Sequence, residues 1–215
     1  MPKRMQTIVV GSFMVNAYLY WDDDAAQGVI VDPGDEGETI ITAVEKAGFA
    51  PRAILLTHGH VDHIGAVKEV KARFDIPLYV GRGEEHLLSD PQANGSAFLA
   101  QPITAPPPDE LLDDEQELRA GKLRFRVLAT PGHSPGGVCY LDEREGILFC
   151  GDTLFQGSIG RTDLPGGSTE LLLDSIREKI LRLPNGIVCL PGHGPQTTVG
   201  AERNGNPFLT GGYFV

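Results

Sequence analysis

Thr57 to Gly65 reads Thr-His-Gly-His-Val-Asp-His-Ile-Gly. The chain has six histidines, and three of them, His58, His60 and His63, fall within six residues together with Asp62. Imidazole nitrogens and a carboxylate oxygen are borderline-hard donors that suit zinc, iron or manganese, and no cysteine stands among them to make a thiolate site. A solvated turn has no need of four coordinating groups at this spacing. The spacing also points to more than one ion. His58 and His60, two apart on extended backbone, can face one way, whereas Asp62 and His63 lie where the chain enters a helix, so one ion per pair is the natural geometry. The positive end of that helix is expected to keep Asp62 ionised.

Two further histidines stand in turns built alike. His133 lies in Pro131-Gly-His-Ser-Pro-Gly136 and His193 in Pro191-Gly-His-Gly-Pro195, each directly after a strand-like run. Proline and glycine on either side fix a tight loop and leave room beside the imidazole. Asp152 follows the apolar run that ends in Cys150-Gly151. Asp32 ends another such run, and reads either as an outer support of the metal loop or as a turn cap. Arg161 and Asp163, in Gly160-Arg-Thr-Asp163, read as an ion pair holding a loop near the site. Direct contact of Arg161 with an anionic substrate is the alternative, because a fork of donors beside a metal cleft suits carboxylates.

The motif His58-x-His60-x-Asp62-His63 resembles the signature of the metallo-β-lactamase-fold hydrolases. With the later pieces Pro131 to Gly136, Cys150-Gly-Asp152-Thr-Leu-Phe155, Gly160 to Asp163 and Pro191 to Pro195, the chain is most similar to short bacterial members of the glyoxalase II-like (hydroxyacylglutathione hydrolase-like) branch. The resemblance implies an αββα sandwich of two mixed β-sheets with helices on the outer faces. It implies His58, His60 and His133 as ligands of a first divalent metal ion, Asp62, His63 and His193 as ligands of a second, and Asp152 as the carboxylate between them. Zinc is the first expectation for the metals, with iron and manganese as alternatives. A water shared by two dications is largely hydroxide at neutral pH, which makes it the expected nucleophile, and Asp62 is the expected catalytic residue that orients it or accepts its proton.

The elements that must position these groups alternate strands with helices. Thr7 to Val10, Asn16 to Trp21 and Gly28 to Val31 read as a meander, and Ile40, Ile41, Val44 and Ala47 mark one face of a helix ending at Gly48. Ala53 to Thr57 is a strand that delivers the motif, and Val67, Val70 and Phe74 follow helical spacing after it. A strand over Ile76 to Val80 and a short helix around Glu84 to Leu88 come next; His86 there reads as a surface residue. The Pro- and Gly-containing segment from Ser89 to Pro108 is a candidate wall or lid over the substrate. Strands are then expected over Glu115 to Leu118, Leu123 to Ala129, Val138 to Leu141 and Ile147 to Cys150. A helix capped by Ser168 or Thr169 runs through Leu181, and a last strand spans Val188 to Leu190. Periodicity alone gives a mixed α/β domain, and residues 1–215 read as one.

Lys plus Arg number 18 against 29 Asp plus Glu, a net charge of −11 that opposes binding to nucleic acid or to anionic membranes. The N-terminal residues lack a signal-peptide pattern, no apolar run is long enough to span a bilayer, and Cys139, Cys150 and Cys189 are an odd number in strand-like contexts. These features fit a cytoplasmic enzyme acting on a small molecule. The expected reaction is hydrolysis of a small acyl thioester, S-lactoylglutathione or a related compound. A mononuclear iron persulfide dioxygenase and a lactone or β-lactam hydrolase are the alternatives. Pro191-Gly-His193 departs from the Pro-Ala-His pattern of the dioxygenases. The C-terminal helical region that holds glutathione in full-length glyoxalase II has no counterpart after Phe208, so the glutathione group is expected to be held loosely.

Overall fold

A computed structural model of the chain describes residues 3–211. Two six-stranded sheets face each other. The first runs in sequence order through β1 (Lys3–Val10), β2 (Val15–Asp22), β3 (Gln27–Val31), β4 (Ala50–Leu55), β5 (Leu78–Gly81) and β6 (Glu110–Leu112). Its first three strands are antiparallel, and β3 to β6 run parallel because α1 (Gly37–Ala47), α3 (Val67–Phe74) and the segment after β5 cross over between them. The second sheet joins β7 (Glu117–Ala120), β8 (Leu123–Ala129), β9 (Val138–Asp142) and β10 (Ile147–Gly151) as antiparallel neighbours. Beside β10, β13 (Val188–Pro191) is parallel and carries the edge strand β14 (Thr197–Thr198). A hairpin of β11 (Leu154–Phe155) and β12 (Ser158–Ile159) stands apart from both sheets.

Strand alternation explains the layering. β2 is buried along its whole length. Tyr18 and Tyr20 pack with Phe125, Tyr140 and Phe149 of the second sheet, whereas Ala17, Leu19 and Trp21 belong to the cluster formed with Ile40 and Val44 of α1 and Val67 and Val70 of α3. The far face of the second sheet, with Leu128, Leu141 and Leu148, is covered by Leu172 of α5 (Thr169–Ser175) and by Ile176 and Ile180 of the π-helical turn that continues it. Helix, sheet, sheet, helix is therefore the observed order, the expected αββα sandwich. The three cysteines are buried and free, with Cys139, Cys150 and Cys189 packed under α5 as small apolar side chains. None of the described helices is long and apolar enough to cross a membrane.

Several boundaries differ from expectation for local reasons. β1 starts at Lys3, four residues before the apolar run, because it pairs with β2 over eight positions. The strand expected at Glu115 begins at Glu117, since Glu115 sits at a left-handed φ of 62°. Ser168 caps α5 by accepting from the Leu171 amide at 3.3 Å, yet the regular helix stops at Ser175 and widens through Ile176–Ile180. β6, the β11–β12 hairpin and the helix α6 (Val199–Gly205) are too short or too polar to show a period. The helix α2 (Val61–Ile64) is one turn only, so the dipole argument for Asp62 carries no weight.

Candidate metal centre

All seven expected ligand side chains converge at one end of the sandwich. His58 and His60 follow β4, and Asp62 and His63 lie on the single turn α2. His133 follows β8, Asp152 follows β10, and His193 follows β13. Three sets of donor atoms come within 4.8 Å of one another: His58 with His60 and His133; His58 with His63 and Asp152; and Asp62 with His63 and His193. Asp152 lies between the outer two sets, its Oδ1 3.5 Å from His63 Nε2 and its Oδ2 3.7 Å from His133 Nε2 and 3.6 Å from His193 Nε2.

Hydrogen bonds aim the first set. His133 Nδ1 donates to the Arg161 carbonyl at 2.7 Å, which leaves the Nε2 lone pair facing inward. The Thr57 hydroxyl donates to Asp32 at 2.7 Å and so accepts from His58 Nδ1 at 3.1 Å, again leaving Nε2 bare. These two acceptor nitrogens stand 3.2 Å apart, and His60 Nδ1 lies 2.9 Å from His133 Nε2. Bare lone pairs at that distance repel unless a cation lies among them. Tetrahedral nitrogens about 2.0–2.1 Å from a zinc-sized ion are themselves about 3.3–3.4 Å apart. His63 Nε2 and Asp152 Oδ1, 3.5 Å apart, are buried without a hydrogen-bond partner. The donor set thus fits metal ions.

The charge states differ across the centre. Burial, reinforced by the neighbouring imidazoles, drives His58 well below the usual histidine range and His60 down to about 3. Burial would do the same to His63, but Asp62, Asp32 and Asp152 outweigh it and hold His63 well above that range. His193 is also raised, by its 3.1 Å contact with Asp62 and by Asp152 against the effect of burial. Burial disfavours charge on Asp62 and Asp152, yet the histidines around them, His63 first, keep both carboxyls lowered. It is His63 and His193 that hold Asp62 ionised.

Asp32 is the outer support and not merely a turn cap. It accepts from the Thr57 amide and hydroxyl at 2.7 Å each, and its Oδ2 lies 3.1 Å from His63 Nδ1. It reaches them from a left-handed φ of 48°, rare for a residue other than glycine. Gly192 shows why the His193 turn carries glycine: a Cβ there would stand 2.2 Å from Asp152 Oδ1 and 2.6 Å from the His63 ring.

Sequence reasoning overlooked two clamps. Glu84, fully buried, accepts from the Gly59 amide at 2.7 Å and the Gly136 amide at 2.6 Å, tying the first ligand loop to the His133 turn. Burial pushes its carboxyl up, and the two amides partly offset that rise. Asn16 donates to the carbonyls of Pro191 and Gly194 at 3.0 and 2.9 Å, and the Tyr18 hydroxyl donates to that of Pro191 at 2.6 Å, so β2 holds the His193 turn from the opposite sheet. A polar residue inside the apolar run Val15 to Tyr18 was a legible signal for Asn16; Glu84 left none.

A cleft of about 500 Å³ opens over His60, Asp62, His133, Asp152 and His193. Part of the 89–108 segment forms a wall: Asn94, Gly95 and Phe98 line the cleft, and Asn94 Nδ2 donates to the Leu87 and Ile103 carbonyls at 2.9 and 3.0 Å. Arg161 lines the rim, with Nε and Nη2 each 2.7 Å from the Asp163 carboxylate. His86 is exposed and away from the cleft lining.

Residues 10–193 match the family model of the metallo-β-lactamase superfamily. A probable metallo-hydrolase, YqgX of Bacillus subtilis, is 48% identical over 97% of this chain and 98% of its own. Hydroxyacylglutathione hydrolase GloC of Haemophilus influenzae is 38% identical over 96% and 98%. Among solved structures, the B3 metallo-β-lactamase BLEG-1 superposes with a TM-score of 0.92 at 50% identity, covering 96% of this chain and all of that one. A di-iron-bound form of TTHA1623 gives 0.82 at 38%, covering 95% and 100%. With the sandwich fold and the converging donor set, these matches establish that the chain belongs to the metallo-β-lactamase superfamily, as a metal-dependent hydrolase.

Proposed function

We propose that this protein is a dinuclear enzyme that hydrolyses a small acyl thioester, S-lactoylglutathione or a related compound, to an acid and a free thiol. His58, His60 and His133 would hold one divalent ion, Asp62, His63 and His193 the other, and Asp152 would bind both. Ions held there supply a Lewis acid for the acyl carbonyl and lower the pKa of water. The observation that carries this reading is the placement of Asp152 between two donor sets, with one oxygen toward His63 and the other toward His133 and His193.

The protein's own groups prepare the reaction. The Arg161 carbonyl and Thr57 present His133 and His58 as lone pairs. Asp62, kept ionised, faces the cleft and is the group that orients the attacking water or takes its proton. A thiolate leaves without a strong acid, and the cleft lining offers none. The name of the Haemophilus relative supports the acyl-thioester choice. Zinc is proposed first; the di-iron form of TTHA1623 keeps iron in view beside manganese. Three free thiols fit residence in a reducing cytosol.

β-Lactam hydrolysis is the second reading, favoured by the likeness to BLEG-1. A one-iron persulfide dioxygenase is disfavoured because it leaves the set of Asp62, His63 and His193 without a task. Metal analysis of the purified protein, with thiol release from thioesters, nitrocefin hydrolysis and oxygen uptake on glutathione persulfide, tests all three. Two ions and thiol release are expected. Oxygen uptake without thioester cleavage, or nitrocefin turnover alone, would replace this reading.

A further inference from the structure

The walls of the cleft have a chemistry unlike its floor. Phe13, Val61, Phe98, Phe155, Ile159 and Leu164 line it, and a narrower recess of about 120 Å³ continues past Phe13 and Val61 between Val10, Val15, Leu99 and Ile103. Phe98 is 78% exposed and Phe13 48%, large apolar side chains held in water at the mouth of a site. Arg161 is the sole Lys or Arg among the described lining residues, and its Nε and Nη2 both donate to the Asp163 carboxylate, which offsets its charge. Another acid, Asp35, lines the recess, on a chain of net charge −11. Carriers such as glutathione and coenzyme A bear carboxylates or phosphates and meet no unpaired cation on these walls.

Resting on the hydrolase reading above, and narrowing its thioesters away from glutathione itself, we infer that the cleft selects uncharged thioesters with an apolar, aromatic or branched, substituent over thioesters of anionic carriers. Water adds across the acyl carbon–sulfur bond, the acid keeps the hydroxyl and the thiol takes the proton, so no further reactant is required. Phe13 and Phe98 close on the apolar substituent, and the carrier is not recognised by charge.

The test compares matched pairs on the metal-loaded protein: phenylacetyl thioesters of N-acetylcysteamine and of glutathione, and their unreactive S-phenethyl thioethers. The neutral thioester is expected to have a kcat/KM about tenfold higher, and the neutral thioether to bind about tenfold more tightly by calorimetry. Added salt should raise kcat/KM for the glutathione compound, by screening repulsion from an acidic protein, and leave the neutral one flat. Phe98→Ala and Phe13→Ala should shrink the preference for phenylacetyl over acetyl on N-acetylcysteamine. Tighter binding of the glutathione thioether, or a kcat/KM for its thioester that falls with salt, overturns the inference whatever the rate. Loss of all thioester cleavage with neutral-thioether preference intact overturns the hydrolase reading and leaves the cleft's selectivity standing.

Discussion

The two outer donor sets lie side by side and differ in almost every physical respect. The set of His58, His60 and His133 is all imidazole, buried, and held by groups that accept a single hydrogen bond from each of two rings. Its members His58 and His60 are neutral well into the acid range. The other set pairs Asp62 with two histidines whose pKa values the surrounding carboxylates raise, and His193 is open to the cleft, its side chain 28% exposed. His58 and His60 thus have no proton to give up when an ion arrives, whereas His63 has to expel one.

Asp152 stands between the two sets, with an oxygen toward each, so its replacement should have the largest effect. In Asp152→Asn a single carbonyl oxygen remains where two carboxylate oxygens faced different histidines. Metal content is expected to fall from two ions to less than one, and activity by more than the roughly 10–100-fold typical of losing an outer partner. Retention of both ions by mass spectrometry under native conditions would count against a shared ligand.

Acid should separate the two halves. His63 is held well above the usual histidine range and His193 is raised, so both hold a proton to higher pH than a free imidazole in the metal-free protein, and ion uptake there has to displace it. Lowering the pH therefore weakens that set first. His58 is lowered and His60 stands at about 3, so protonation of these two does not compete near pH 5 to 6, and the first set is weakened less there. Equilibrium dialysis from about pH 8 down to about 5 should show a step from two ions to one. Simultaneous loss of both ions would show that the sets titrate as one.

The outer clamps should respect the same division. Asp32 touches His63 directly and reaches His58 only through Thr57, so Asp32→Asn is expected to weaken the second ion more than the first, by about 10–100-fold in affinity. Glu84 instead joins the Gly59 and Gly136 amides. In Glu84→Gln one amide hydrogen loses its acceptor in a buried site, so about 1–3 kcal/mol of stability should go, with the first ion weakened more than the second. Denaturant midpoints and competition with a chromophoric chelator measure the two effects. Equal weakening of both ions by both substitutions would erase the distinction.

How much of this was legible beforehand follows from where each signal sits in the chain. The ligands could be read because coordination restricts residue type and the Gly-Pro turns that aim them are local. Helix α1 and strands β8 and β10 could be read because each buries an apolar set at its own period. Glu84 was illegible because its partners lie 25 and 52 residues away, and nothing near it in sequence marks a buried acid. The β11–β12 hairpin was illegible for a different reason. Two-residue strands have no period, and this one is placed by α6, where Glu202 accepts from the Gly157 amide at 2.9 Å and Asn206 donates to the Ser158 carbonyl at 3.0 Å. The cleft walls fall in the same class, since Phe13 and Phe98 meet only through tertiary placement.

The smallest effect belongs to Arg161, where the comparison between main chain and side chain is sharpest. Its carbonyl holds His133, and any substitution except proline preserves that carbonyl and its helix-free loop geometry. Its guanidinium, exposed at the rim, is paired with Asp163 through Nε and Nη2. Arg161→Ala should therefore keep both ions and leave kcat and the thermal midpoint near their starting values. The remaining question is the substrate's charge. If the fork stays on Asp163 during turnover, KM for a glutathione thioester should change by less than about threefold, as expected where no interaction with substrate is removed. A KM rise of about tenfold at constant kcat is the signature of lost uniform binding, and would mean that the fork leaves Asp163 to take the substrate's carboxylate.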